Sequence, residues 1–387
     1  MPKVAKRFSV RKREIKHLLH DFSQSLGIDA EKILRMAVER EASDIHIKVG
    51  RPPALRVDGE LIPIDSFPPL TEEDIEGFIN QITTDEQREL LKGRKELDFA
   101  FGIEGLARFR VNVFRQRGTL AAALRLIPFK VKSIKELNLP PVVAELAMKP
   151  RGLVLVVGPT GSGKSTTLAA MIDHINSNAR KHIITIEDPI EFWHEDKLSY
   201  ISQRQVGQDT DSFYDGLKYA LREDPDVILI GELRDLETIM AAISAAETGH
   251  LVLATLHTTS AAQTVDRIID MYPAQQQHQV RLQLSMTLQG VLSHTLVPRK
   301  DGRGRVLALE IMVATPAIRS LIREGKTHMI EAQIQTGAEY GMQTRDQALR
   351  KLYLDGLISY ETALEFATNP EELARMLKGA RSWERRF

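Results

Sequence analysis

The chain has 387 residues, 43% hydrophobic and 27% charged, which is enough for two or three domains with a core each. Lys+Arg and Asp+Glu are both 52, so no overall field draws the chain to a polyanion such as nucleic acid. No run of about 18 apolar residues predicts a membrane span, and no apolar core follows the basic N-terminus as it would in a signal peptide. Cys is absent, which excludes disulfides and thiolate-bound metals and fits the cytoplasm.

Residues 1–27 form a basic extension, with Lys3, Lys6, Arg7, Arg11, Lys12, Arg13 and Lys16 against a single acid, Glu14, in the first twenty. It reads either as a solvated tail or as a contact for an anionic membrane surface, where each cation is worth roughly 1 kcal/mol. From Ile28 the spacing of Ile33, Met36, Ala37 and Val38 predicts a helix, and Asp44-Ile-His-Ile-Lys then alternates with a period of two. A short strand, Ala54–Val57, runs into Asp58-Gly59, a hairpin-turn dipeptide, and returns as Glu60-Leu-Ile. Thr71-Glu-Glu-Asp predicts a helix opened by a capping box. Segments 97–101 and 107–114 read as strands. This α+β unit spans 28–130; Pro128, Pro140 and Pro141 punctuate the connection to the next domain, with a linker at 131–145.

Beyond Gly152 the pattern changes. Segments 153–157, 183–186, Val227–Ile230 and 251–254 are short β-branched runs with helical stretches between them, the signature of a largely parallel, doubly wound α/β sheet over 146–315. From Pro316 to 387 the chain reads as mostly helical.

Chemistry concentrates in that second region. Gly158-Pro-Thr-Gly-Ser-Gly-Lys-Ser matches G-x-x-x-x-G-K-[ST] between a strand and a helix predicted over 166–175. Gly158, Gly161 and Gly163 let backbone N–H groups turn inward around phosphate oxygens. Pro159, Thr160, Ser162 and Thr166 complete the loop, and the helix N-terminus adds partial positive charge. Lys164 would reach the β/γ-phosphates of ATP and the Ser165 hydroxyl would ligate Mg²⁺. Asp226-Val-Ile-Leu-Ile-Gly-Glu is a buried strand ending at Glu232, an acid placed to hold the metal or polarise water, with Arg234 and Asp235 beyond it. Thr185-Ile-Glu-Asp-Pro-Ile-Glu puts Glu187, Asp188 and Glu191 at another strand end, where ligands of open α/β sheets bind. One of them would act as general base or join Glu232 and Ser165 around the metal, and residue type alone leaves the roles unassigned. His257 follows a third strand end and reads either as a γ-phosphate sensor or as a structural histidine. Arg108, Arg110 and Asn112 alternate with Phe109, Val111 and Val113, and Arg115 and Arg125 extend that basic stretch. It reads as a solvated face or as a source of arginine for the nucleotide, within one chain or across a subunit boundary.

These segments, in this order, resemble the secretion-type ATPases that drive type IV pili and type II secretion, from about residue 28 to 378. The resemblance rests on the phosphate loop, the acidic box at 184–192, Gly231-Glu-Leu-Arg-Asp and the segment around His257. Ala317-Ile-Arg-Ser-Leu-Ile-Arg-Glu is similar to the AIRNLIRE signature of the retraction branch, with Ser320 in place of Asn. Gly341-Met-Gln-Thr-Arg-Asp-Gln is similar to that branch's GMQTMDQ, and the chain lacks the four cysteines common in assembly and secretion ATPases. The resemblance implies a PAS-like N-terminal domain, a RecA-like ATPase core and a homohexamer, with Arg108, Arg110 and Arg125 reaching ATP and Mg²⁺ bound between the domains. It implies pilus retraction and twitching motility, powered against the pilus assembly ATPase machinery. The motor would be peripheral to the inner face of the cell membrane and act on an inner-membrane platform protein. Alternatives are an assembly or type II secretion ATPase, or an accessory retraction ATPase. The helix at 317–324 lies outside every nucleotide box, so Arg319 and Leu321 are expected to serve retraction rather than hydrolysis.

Overall fold

The computed structural model describes residues 28–57, 59–103, 106–127 and 131–384, with side chains to 378. The basic extension, Asp58 of the expected turn and Pro128 lie outside those residues. The chain divides into two compact units, the first ending at Phe129 and the second beginning at Lys130.

In the first unit, α1 (Ala30–Glu39) is capped by the Asp29 side chain and buries Ala30, Ile33, Leu34 and Ala37 along one stripe. Three strands follow: β1 (Asp44–Lys48), β2 (Ala54–Val57) and β3 (Glu60–Pro63). Helix α2 (Glu72–Ile82) opens on the expected reciprocal bonds between Thr71 and Asp74, and α3 (Asp85–Gly93), which the sequence reading leaves unassigned, opens on the same device with Thr84 and Gln87. Strands β4 (Glu96–Ile103), β5 (Ala107–Gln116) and β6 (Thr119–Ile127) complete an antiparallel sheet in the order β3-β2-β1-β6-β5-β4. Ile45, Ile47, Leu55, Phe109, Val111 and Val113 point into the core with α1 and α2, and the alternate residues form the opposite face.

The second unit opens with α4 (Val142–Ala147). Ile134 and Leu139, inside the span expected as a linker, are buried in this unit's core together with α4. Then come β7 (Gly152–Val157), α5 (Lys164–Asn178), β8 (His182–Glu187), β9 (Tyr200–Gln205), α6 (Phe213–Ala220), β10 (Val227–Ile230), α7 (Leu236–Glu247) and β11 (Leu251–Leu256). Helices α8 (Ala261–Asp270) and α9 (Gln277–Thr287) precede a long hairpin, β12 (Leu288–Pro298) and β13 (Arg305–Val313). The sheet order is β13-β12-β7-β11-β10-β8-β9, parallel except for β13. Leu153, Leu155 and Val157 face one layer of helices while Val154 and Val156 face the other, so β7 is buried on both sides. The chain ends in α10 (Pro316–Arg323), α11 (Ile330–Thr336), α12 (Arg345–Leu354), α13 (Tyr360–Glu365) and α14 (Pro370–Glu384), the expected helical region.

Candidate functional site

A parallel sheet sends every loop at its C-terminal edge to the same side, and the second unit's chemistry gathers there. Val157 ends β7 opposite Leu256, the last residue of β11, while Ile230 of β10 pairs with Ala254 and with Ile186. Gly158, Gly161 and Gly163 have φ of 143°, 76° and 91°, in the region that favours glycine. At Gly158 a Cβ would also lie 2.7 Å from the His294 carbonyl oxygen and 2.7 Å from Ser162 Oγ, so only glycine fits. Gly163 is the N-cap of α5 and offers no side-chain acceptor, which leaves the first-turn N–H groups for an anion. Pro159, Thr160 and Ser165 are exposed, Thr166 is partly buried and Ser162 is buried. The inward-turned loop and the exposed Ser165 hydroxyl on the first helical turn fit a nucleotide triphosphate with its Mg²⁺.

Lys164 folds back over this loop, with Nζ donating to the carbonyls of Gly158 at 2.7 Å and Pro159 at 3.0 Å. Burial holds its pKa below the usual lysine value, and the charge of Glu232 opposes that shift. Nζ is also 3.5 Å from His257 Nδ1, and His257 Nε2 is 2.9 Å from Glu232 Oε1. An ammonium only donates, so Nδ1 is the acceptor and the ring proton sits on Nε2, facing the carboxylate. Glu232 accepts a second bond at 2.6 Å from Arg234 Nε. Arg234 in turn lies 3.8 Å from Asp188 and stacks over the Phe213 ring. One continuous polar chain, Lys164–His257–Glu232–Arg234–Asp188, thus crosses four strand ends.

The other acidic residues sit differently. Glu187 accepts from Thr185 Oγ1 at 2.6 Å, from the Glu191 backbone N–H at 3.3 Å and from Gln203 Nε2 at 3.4 Å. Burial pushes its pKa up, these bonds oppose the shift, and the Glu191 charge adds to it. Glu187 is therefore tied to its own strand and to β9, while Glu191 is exposed.

The arginines lie in the first unit, on the face of its sheet away from the core. Arg110 pairs in register with Arg125, Arg125 with Asp44, and Asp44 with Arg56. Like charges opposite one another are unfavourable, and one of them is offset: Arg125 Nε donates to Asp44 Oδ1 at 2.9 Å. The Ser43 hydroxyl and the Arg125 guanidinium outweigh burial and hold the Asp44 carboxyl below its ordinary pKa. Arg110 is exposed and Arg108 half-buried on the same side of β5.

Two residues of the second unit's site escape motif reading. Arg234 reads from sequence only as a neighbour of Glu232, although an arginine two residues past a strand-end acid is a usable signal. His294 on β12 lies under the phosphate loop, 1% exposed, with Nδ1 3.1 Å from the Ser162 carbonyl. Nothing in its local sequence marks it.

The type II/IV secretion system protein family matches residues 21–364. The type IV pilus retraction ATPase PilT of Pseudomonas aeruginosa is 52% identical over 344 residues, covering 89% of this chain and 99% of that protein. The type IV pilus ATPase PilU of the same organism is 43% identical, covering 91% of this chain and 92% of its own. The crystal structure of the pilus retraction motor PilT with bound ADP superposes with a TM-score of 0.84 at 50% identity, covering 90% of this chain and 99% of that one.

Proposed function

The chain belongs to the type II/IV secretion system protein family, and from that premise we propose that it is a homohexameric motor ATPase that powers type IV pilus retraction and twitching motility. The observation that carries the ATPase reading is the contact of Lys164, His257 and Glu232 at the C-terminal edge of the parallel sheet, beside a loop that only glycine can form. Lengthwise identity to a retraction ATPase carries the choice of motor.

Bound MgATP supplies a phosphoryl group whose transfer to water is driven by positioning and charge rather than by covalent chemistry. The backbone of 158–166 cradles the phosphates, and Lys164 exchanges its two loop carbonyls for the β/γ-phosphates. Ser165 would hold the metal, with Glu232 and Glu191 reaching it directly or through water. Glu232, set by His257 on one side and Arg234 on the other, is the general base that orients water, with Glu187 supporting the acidic box from behind. His257 joins the base to Lys164 and so reports the γ-phosphate. Arg108, Arg110 and Arg125, on the PAS-like first unit, would supply positive charge to the developing negative charge. None of the described helices is long and apolar enough to cross a membrane. The ring would act in the cytoplasm, at the inner face of the membrane, on a pilus platform protein and against the assembly ATPase.

The reading is tested by purified ATP hydrolysis together with a deletion strain. The expected phenotype is hyperpiliated and non-motile, with motility restored by the wild-type chain and not by Lys164→Ala. Likeness to PilU supports a second reading, an accessory retraction ATPase. In that case the deletion strain keeps part of its retraction.

A further inference from the structure

The β12–β13 hairpin touches both loops that hold the Lys164–His257 contact. On the phosphate-loop side, His294 Nδ1 faces the Ser162 carbonyl at 3.1 Å, and the His294 backbone and Cβ fill the space that a side chain at Gly158 would need. A carbonyl only accepts, so the ring proton is on Nδ1 and the bond is His294 to Ser162. The other nitrogen, Nε2, is buried without a hydrogen-bond partner, as is the neighbouring Ser162 Oγ. An unpaired buried polar atom costs about 1–3 kcal/mol, and a hydrophobic side chain would avoid that cost. The one bond that His294 makes, to the Ser162 carbonyl, is set against that cost.

The adjacent residues grip the loop that follows His257. Ser293 Oγ donates to the Thr259 carbonyl at 2.9 Å. Across the ladder, Ser293 pairs in register with Glu310 of β13, and Glu310 Oε1 accepts from the Ala261 backbone N–H at 2.7 Å, at the start of α8. Glu310 is itself buried, and burial pushes its pKa up against that bond. Consecutive residues of a strand point to opposite faces, so Ser293 and His294 reach two different loops from one rigid segment. That segment is fixed to β7 along residues 288–293.

We propose that the β12–β13 hairpin is a clamp on the catalytic centre, in which His294, Ser293 and Glu310 are positioning residues that set the separation between Lys164 and His257. Among the described residues none of the three hydrogen-bonds the Lys164 or His257 side chain; each acts through a loop backbone. The inference rests on the proposed ATPase, and its consequence is a turnover defect rather than a binding defect, because misplacement by about 1 Å costs catalysis up to roughly a hundredfold.

The test compares paired variants of the full-length protein in steady-state ATP hydrolysis. His294→Leu removes the donor, whereas His294→Asn keeps an N–H close to the position of Nδ1. Glu310→Ala removes the acceptor, whereas Glu310→Gln keeps Oε1. The expected result is a kcat lower by about tenfold in the Leu and Ala variants, with KM for ATP and ADP affinity changed less than about threefold, and recovery to within about threefold in Asn and Gln. The double variant His294→Leu with Glu310→Ala should lose less than the product of the single losses, since both loosen one element. Equal loss in the conservative and the disruptive variants, a change confined to KM, or unchanged kcat would each overturn the clamp. If His294→Leu does not fold, the Glu310→Ala against Glu310→Gln comparison still decides. Absence of ATP hydrolysis by the wild-type protein would instead remove the ATPase reading itself, so the two failures are distinguishable.

Discussion

The two units place charge by different rules. In the second, buried parallel strands deliver Lys164, Glu187, Glu232 and His257 to one edge, because Glu187 ends its strand and the other three follow theirs, all running the same way. Their contacts follow from topology, and a short motif at each strand end suffices to mark them. In the first, antiparallel strands carry Arg110, Arg125, Asp44 and Arg56 side by side across a face, so position depends on register between segments far apart in sequence. Strand ends gather a compact site, whereas a sheet face presents a surface.

The largest expected effect separates the two directly. Lys164→Ala should lower ATP turnover roughly a thousandfold or more, since the phosphates lose their point charge and His257 loses its partner. Turnover within about tenfold of wild type would remove the strand-end site altogether. Glu232→Gln should keep ATP binding and cost about a hundredfold or more in kcat, because the amide preserves volume but removes the base. Parallel loss of binding would make Glu232 chiefly a metal ligand. Arg110→Ala should lower kcat by tenfold to about a hundredfold, with a smaller change in affinity. Mixing Arg110→Ala subunits with Lys164→Ala subunits tests which surface the face meets. Partial return of activity means the arginine crosses a subunit boundary; continued absence means it acts within its own chain.

Legibility followed the same division. The phosphate loop was readable because Gly158 and its neighbours are required by φ and by space, and β7, β8, β10 and β11 because double burial makes them continuous apolar runs. The first unit's β6 was not assigned from Thr-Leu-Ala-Ala-Ala-Leu-Arg-Leu-Ile, since alanine carries little strand preference and pairing with β1 and β5 decides the conformation. Strand β9, Tyr-Ile-Ser-Gln-Arg-Gln, is polar because it is an edge strand paired only with β8. The hairpin β12–β13 was missed as a unit, and with it His294 and Glu310, whose roles arise from tertiary contact alone.

In helix α10 the residues expected to serve retraction also carry structural contacts. Arg319, expected to be a retraction contact, is half-buried: Nη1 donates to the carbonyls of Ser285 at 2.6 Å and Met286 at 2.9 Å, closing the end of α9 ahead of β12. Burial lowers its pKa. Leu321 packs on the core. Arg319→Ala should therefore destabilise the second unit by about 1–3 kcal/mol, as two carbonyls lose their donor, and thermal unfolding would show it. Of the two arginines of this motif the exposed one is Arg323, in the last turn of α10. Arg323→Ala should leave the unfolding midpoint and basal hydrolysis unchanged while reducing retraction in cells.

The smallest effect returns to the sheet face and asks whether Arg125 is as available as Arg110. Arg125 is bonded to Asp44, whereas among the described residues no carboxylate is paired with Arg110. If availability sets the contribution to turnover, Arg125→Ala should cost less in kcat than Arg110→Ala. The pair's structural worth is limited, since the Arg125 side chain is 68% exposed and such pairs contribute about 0–1 kcal/mol. Asp44→Asn should accordingly lower stability by less than about 1 kcal/mol at neutral pH. The sign of its pH dependence follows from the folded Asp44 carboxyl lying below its ordinary value. Its stabilisation is fully present above the unfolded carboxyl pKa of about 3.9, and it disappears as pH falls through the lower folded value. Denaturant titrations of the two proteins should differ by a constant amount above that point and converge below it. A difference that persists in strong acid would mean that Asp44 acts through packing or neutral hydrogen bonds. Arg125 would then be no more committed than Arg110, and the expected ranking of the two arginines would lose its basis.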